Sequence, residues 1–158
     1  MILSMSQLFE KSSKDQINAA LKVALDNANE SPFWAEKTLP YADALLSVLI
    51  PLRDQNLLFT PENSVAKTLT PALFISWCDL MSAKALAFTI QESNTTNSLT
   101  RVSYPKNEAD KYEAINLEVL GKYLSHYTIN LKSEWDDFPI AHYNLHIGIS
   151  DVLKKLVR

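Results

Sequence analysis

The stretch SPFWAEKTLPYADALLSVLIPLRDQ, residues 31–55, decides the fold. It is apolar over most of its length and carries two internal prolines. Ser31-Pro32 has the form of a helix start, with a hydroxyl at the N-cap and proline at the first helical position, where its missing N–H costs nothing. Glu36, Asp43, Ser47 and Asp54 then recur at spacings of 7, 4 and 7. At about 3.6 residues per turn these four share one narrow stripe, with Pro40 beside it. Phe33, Trp34, Leu39, Leu45, Leu46, Val48, Leu49, Ile50 and Leu52 cover the remaining circumference, so the helix is expected to be buried on most sides. Pro40 should bend it, and Pro51 should bend or end it. A membrane span is excluded. Asp43 and Ser47 interrupt the apolar run, Lys37 and Arg53 bound it, and no window reaches the ~18 uninterrupted apolar residues that a span requires.

The rest of the chain reads as neighbours for this helix. Ser13-x-x-Gln16 is a capping box, after which Ile17, Leu21, Ala24 and Leu25 fall on one face. Residues 7–11 form a short helical turn or part of an arm. Thr60-Pro61-Glu62 and Thr70-Pro71 repeat the N-cap pattern. From Pro71 the run PALFISWCDLMSAKALAFTIQE predicts one long helix or two consecutive ones, with Trp77, Leu80, Met81 and Phe88 in the core. Residues 93–103, SNTTNSLTRVS, form a polar loop that is long for a connection between packed helices. Asn107 can cap a helix over NEADKYEAINLEVLGKYLSHYT, with Tyr112, Ile115, Val119, Leu120, Tyr123, Leu124 and Tyr127 on its apolar face. After KSEWDDFP the chain resumes with IAHYNLHI and is expected to break near Gly148-Ile149-Ser150, Ser150 then capping DVLKKLVR. The whole is an all-α, compact multi-helix bundle around a kinked central helix at about 32–54. One domain accounts for the 158 residues.

Composition narrows function. Only Gly121 and Gly148 are glycines, so neither a GxxxxGK[ST] nor a GxGxxG phosphate cradle can be written, and no cofactor is called for. The net charge of −3 gives no global positive field for nucleic acid. A lone cysteine, Cys78, suits a reducing compartment and reads as a small core thiol on a buried helix. His142 and His146 have the i, i+4 spacing of zinc pairs, but no HExxH glutamate and no third ligand accompany them. Two polar residues on a half-exposed face is the plainer account. Glu134, Asp136 and Asp137 around Trp135 suit a solvated corner better than a fixed carboxylate pair, and Trp135 there could serve as a docking anchor. No catalytic set and no metal set emerges.

Two stretches carry a family resemblance. Residues 31–55, with Ser31, Phe33 and Trp34 leading into a long helix that closes on Leu52-Arg53-Asp54, resemble a segment of the coupling-protein ATPases of type IV secretion and conjugation. Residues 107–128, a charged lead into an apolar helix, resemble a later segment of the same proteins. Both segments belong to the all-α domain inserted into the hexameric motor domain of that family, and they cover about a third of this chain. The resemblance implies that residues 1–158 are that single all-α domain, without the Walker motifs and the inner-membrane anchor of its parent. It implies a non-enzymatic, cytoplasmic domain, monomeric or held by a partner protein, that receives secretion substrates, adaptors or relaxosome proteins. Thr100, Arg101 and Tyr104 in the polar loop, and Trp135, Asp136 and Asp137 at the acidic corner, are the candidate partner contacts. They are nominated for polarity and exposure. Two alternatives stand beside this reading: contact with single-stranded DNA at the mouth of a hexameric translocase, and a freestanding helical adaptor or chaperone.

Overall fold

The computed structural model describes residues 3–94, 112, 114–127 and 139–158. It is an all-α bundle of α1 (Met5–Lys11), α2 (Lys14–Asn27), α3 (Pro32–Asp54), α4 (Pro71–Ser76), α5 (Leu80–Asn94), α6 (Glu118–His126) and α7 (Ile140–Leu156). The central helix is α3, which packs against α2, α6 and α7. Tyr41, Ala42, Ala44, Leu45, Leu46, Val48, Leu49 and Leu52 are all sealed from solvent. The stripe of Glu36, Pro40, Asp43, Ser47 and Asp54 stays open or half-open.

Both prolines lie within α3, which continues past Pro51 to Asp54. Proline removes the hydrogen bond to the carbonyl four residues back, here Glu36 and Ser47. Those two residues lie on the open stripe, so water can satisfy the freed carbonyls and the helix survives. The N-terminus differs from expectation in one respect: Ser31 occupies the N-cap without a side-chain hydrogen bond. Pro32 has already removed one orphan donor there. Phe33 in the first turn is half exposed and packs edge-on against Trp34 at 5.0 Å, outside the core it was assigned to.

With glycine scarce, asparagine supplies the left-handed backbone that ends helices. Asn29 after α2 and Asn56 after α3 have φ of 54° and 57°, and Asn63, with φ of 63°, plays the same backbone role in the turn at 60–63. After α3, Leu57 N–H donates to the Leu52 carbonyl at 2.8 Å and Asn56 N–H to the Arg53 carbonyl at 3.1 Å. This is the Schellman pattern, with Asn56 at the position that glycine usually takes. The Arg53 guanidinium, nearly buried, donates to the Phe9 carbonyl at 2.9 Å and so closes the C-terminal end of α1.

The capping box at Ser13 and Gln16 forms as its spacing requires, and Ser4 with Gln7 makes a second one at the start of α1. Thr70 caps α4 through its hydroxyl, which accepts from Leu73 N–H at 3.0 Å. Thr60-Pro61 starts no helix. Asn63 N–H donates to the Thr60 carbonyl, Pro61 heads that turn, and Phe59 pairs with Val65 in an isolated antiparallel bridge. The polar residues after Pro61 offer no apolar face to bury, so the turn wins.

Cys78 is buried in the α4–α5 connection and not on a helix. Met81 is exposed and Phe88 half-buried, both contrary to the core assignment, whereas Trp77 and Leu80 are sealed. Of the helix expected from Asn107, residues 107–111 and 113 lie outside the described residues; residues 115–117 are not helical, and α6 starts at Glu118, whose N–H donates to the Asn116 side chain at 2.8 Å. Val119 faces outward, while Tyr112, Ile115, Leu120, Leu124 and Tyr127 are buried. The expected break at Gly148 does not occur either. Helix α7 is continuous, and a Cβ at Gly148 would lie 2.1 Å from the Trp34 ring. That glycine makes room for an indole. Ser150 caps nothing; its hydroxyl donates to the buried Cys78 carbonyl at 3.0 Å.

Candidate functional site

The six nominated contact residues, Thr100, Arg101, Tyr104, Trp135, Asp136 and Asp137, lie outside the described residues. Two other arrangements come into view: a surface groove and a buried aromatic cluster.

The groove lies where α3, the start of α2 and the start of α6 meet. Leu46, Ser47, Ile50 and Pro51 form one side, Asn116 and Val119 the other, and Lys14 stands at its edge, around a volume of about 300 Å³. Its lining is mostly apolar, and Val119 is substantially exposed. Lys14 is held by Asp43 at 3.2 Å, and Asp43 also accepts from the Asn18 amide at 2.9 Å. The sequence placed Val119 on the buried face because its spacing matches that of Leu120 and Tyr123. With residues 115–117 non-helical and α6 starting at Glu118, Val119 borders the groove instead.

The cluster is built around His146, which is fully buried. Its Nδ1 lies 2.7 Å from the His142 carbonyl. A carbonyl only accepts, so Nδ1 carries the hydrogen and Nε2 holds the lone pair. The Tyr123 hydroxyl, 2.8 Å from Nε2, therefore donates to it. Rings of Tyr41, Tyr123 and Tyr127 stand nearly perpendicular to the imidazole, with centroids 4.8, 5.7 and 4.7 Å away. The His142 Nδ1 points to the Tyr127 carbonyl at 3.1 Å and closes the C-terminal end of α6. The half-exposed placement expected for both histidines holds for His142 alone: His142 is half-buried, whereas His146 is sealed, each with a backbone carbonyl as partner. Among the described residues no group of three or more His, Cys, Asp or Glu could hold a metal ion.

Burial sets the electrostatics here. It lowers the His146 pKa below its ordinary value, with the His142 ring adding to the effect and the hydrogen bond to the His142 carbonyl opposing it. Burial also raises the Tyr41 and Tyr123 hydroxyls and the Cys78 thiol well above their usual ranges. Cys78 is thus a protonated core thiol whose Sγ–H is directed to the Phe74 carbonyl at 3.3 Å. Tyr41 donates to the Cys78 carbonyl at 2.7 Å. Among the described residues no helix is long and apolar enough to cross a membrane. The buried polar cluster was hidden in the sequence because its tyrosines carry the spacing of ordinary core residues; an i, i+4 histidine pair on an otherwise apolar face was the one available signal.

No protein-family model, curated protein or solved structure matches the chain.

Proposed function

We propose that the chain is a recognition domain of a type IV secretion coupling protein, binding secretion substrates or their adaptors and carrying no chemistry of its own. The observation that supports this reading is the pairing of the two stretches that resemble that family. Residues 31–55 and 107–128 pack on each other through Tyr41 and Tyr123, whose ring centroids are 5.0 Å apart. The same two stretches form the facing walls of the groove at Ser47, Pro51 and Val119. An apolar concavity with a polar edge suits a protein partner that inserts an apolar side chain. The groove joins the sequence-nominated contacts around Arg101 and Trp135 as a candidate docking surface.

Pull-down with secretion substrates or adaptors tests this directly, using Val119→Asp, Arg101→Ala and Trp135→Ala. Weakening of binding by at least about tenfold, roughly 1.4 kcal/mol, is expected at one or more of these positions. Unchanged binding in all three removes these surfaces from consideration. A parent reading frame lacking Walker motifs on either side of this segment removes the family reading itself.

A further inference from the structure

We propose that the His146–Tyr123 contact is an acid-sensitive latch: protonation of His146 at Nε2 destroys the acceptor that Tyr123 uses and releases α6 from α3 and α7. The inference rests on placement and not on the proposed function. His146 is sealed from solvent on α7, Tyr123 lies on α6, and the Tyr41 ring on α3 touches both, at 4.8 Å from the imidazole and 5.0 Å from the phenol. One imidazole thus sits at the junction of three helices. Its Nδ1 is committed to a carbonyl, so an incoming proton has only Nε2 to occupy.

An added proton there points at the phenolic hydrogen of Tyr123. That hydroxyl must turn its hydrogen away and accept from Nε2–H instead, inside a cage of rings where the described residues facing the new cation bring no carboxylate. Among the described residues, the titratable groups facing His146 are Tyr41 from α3, Tyr123 and Tyr127 from α6, and His142 one turn earlier on α7. His126 meets Tyr127 edge-on at 5.0 Å, and Cys78 and Asp79 lie beyond Tyr41. Burial holds the Tyr41 and Tyr123 hydroxyls protonated at any pH where imidazole titrates, and charge on the His142 ring disfavours a cation at His146. The direction of the His146 shift agrees with this geometry. A group held below its unfolded value of 6.5 gives its full contribution to stability above that pH. The contribution is lost as pH falls below it, toward the folded-state value.

Hydrogen exchange of the α6 amides between pH 7.5 and 5 tests the latch, with protection factors used so that the intrinsic pH dependence of exchange cancels. Below about pH 6.5 protection in α6 is expected to fall by up to tenfold per pH unit, the slope of a one-proton linkage, while α2 keeps its protection. In His146→Phe, which keeps an aromatic ring but cannot titrate, that fall disappears; in His142→Gln it persists. A flat profile in the unaltered protein overturns the proposal, as does the same fall in His146→Phe or its loss in His142→Gln alone. Should His146→Phe not fold, an NMR titration of the assigned His146 ring protons decides the matter. A midpoint at or above 6.5 in the folded protein overturns the latch, and a midpoint below it accompanied by loss of α6 protection upholds it.

Discussion

Helices α2 and α7 flank α3 and meet it through different chemistry. From α2 come Ile17, Leu21 and Leu25, all buried, with the polar contacts of Lys14 and Asn18 to Asp43 confined to the margin. On α7 the sealed residues include His146 and Ser150 beside Ile149 and Leu153, and Gly148 receives the Trp34 ring. The first seam is held by apolar volume with a polar rim. The second has hydrogen bonds inside it and a glycine shaped to one partner. An apolar seam tolerates small shifts, because dispersion and desolvation are not directional. The α7 seam is directional, and its substitutions should therefore show coupling that those of the α2 seam do not.

The largest expected effect lies in the apolar seam. Leu21→Ala leaves a void in a sealed site and should cost about 2–5 kcal/mol by urea unfolding. A cost below about 1 kcal/mol would mean that α2 adds little to the core, and the contrast would fail. Gly148→Ala comes next. Overpacking against Trp34 costs about 1–3 kcal/mol, opposed by the ~1 kcal/mol that alanine gains over glycine within a helix. The expected net result is destabilisation with altered tryptophan fluorescence, relieved when Trp34→Leu is added. A Gly148→Ala protein more stable than the parent would show that Trp34 can leave without cost.

The Cys78 carbonyl provides a finer test. It accepts from both Tyr41 and Ser150, so each single removal leaves one partner. Tyr41→Phe and Ser150→Ala should each cost about 0.5–1.5 kcal/mol. The double variant should exceed their sum, since only then is a buried acceptor left without partners. Strict additivity in that cycle would deny the coupling claimed for the α7 seam. The smallest effect is expected at the margin of α2. The Lys14–Asp43 pair is more than a third exposed on the Asp43 side, so Asp43→Ala should cost under about 1 kcal/mol and the difference should shrink in high salt.

The same contrast explains what could be read in advance. The bounds of α3, the box at Ser13 and Gln16, and the cap at Thr70 follow from local rules and formed as read, although Ser31 makes no side-chain cap bond. Local rules miscarried where a residue serves something distant in sequence. Gly148 signals a break by propensity, yet it accommodates Trp34, more than a hundred residues earlier in the chain. Ser150 looks like a cap and instead bonds Cys78. Met81 and Val119 carry the spacing of core positions, but whether a helix face is covered depends on neighbours that its own periodicity cannot specify. The groove was illegible for that reason: each wall is unremarkable by itself and becomes a site only by meeting the other. His146 was visible as a residue type, while its burial was not.

One feature of α3 bears on the shape of the whole molecule. Pro40 and Pro51 are eleven positions apart, which is about 20° beyond three complete turns. A proline ring pushes away the carbonyl of the preceding turn and opens the helix on its own side. With both rings on the same edge, two such deflections are expected to have the same sense and to add into a single arc, with its outer curve toward water and its hollow toward the surrounding helices. Moving either proline by two positions would turn that arc into an S, and the partners that now fit its hollow would lose their common centre.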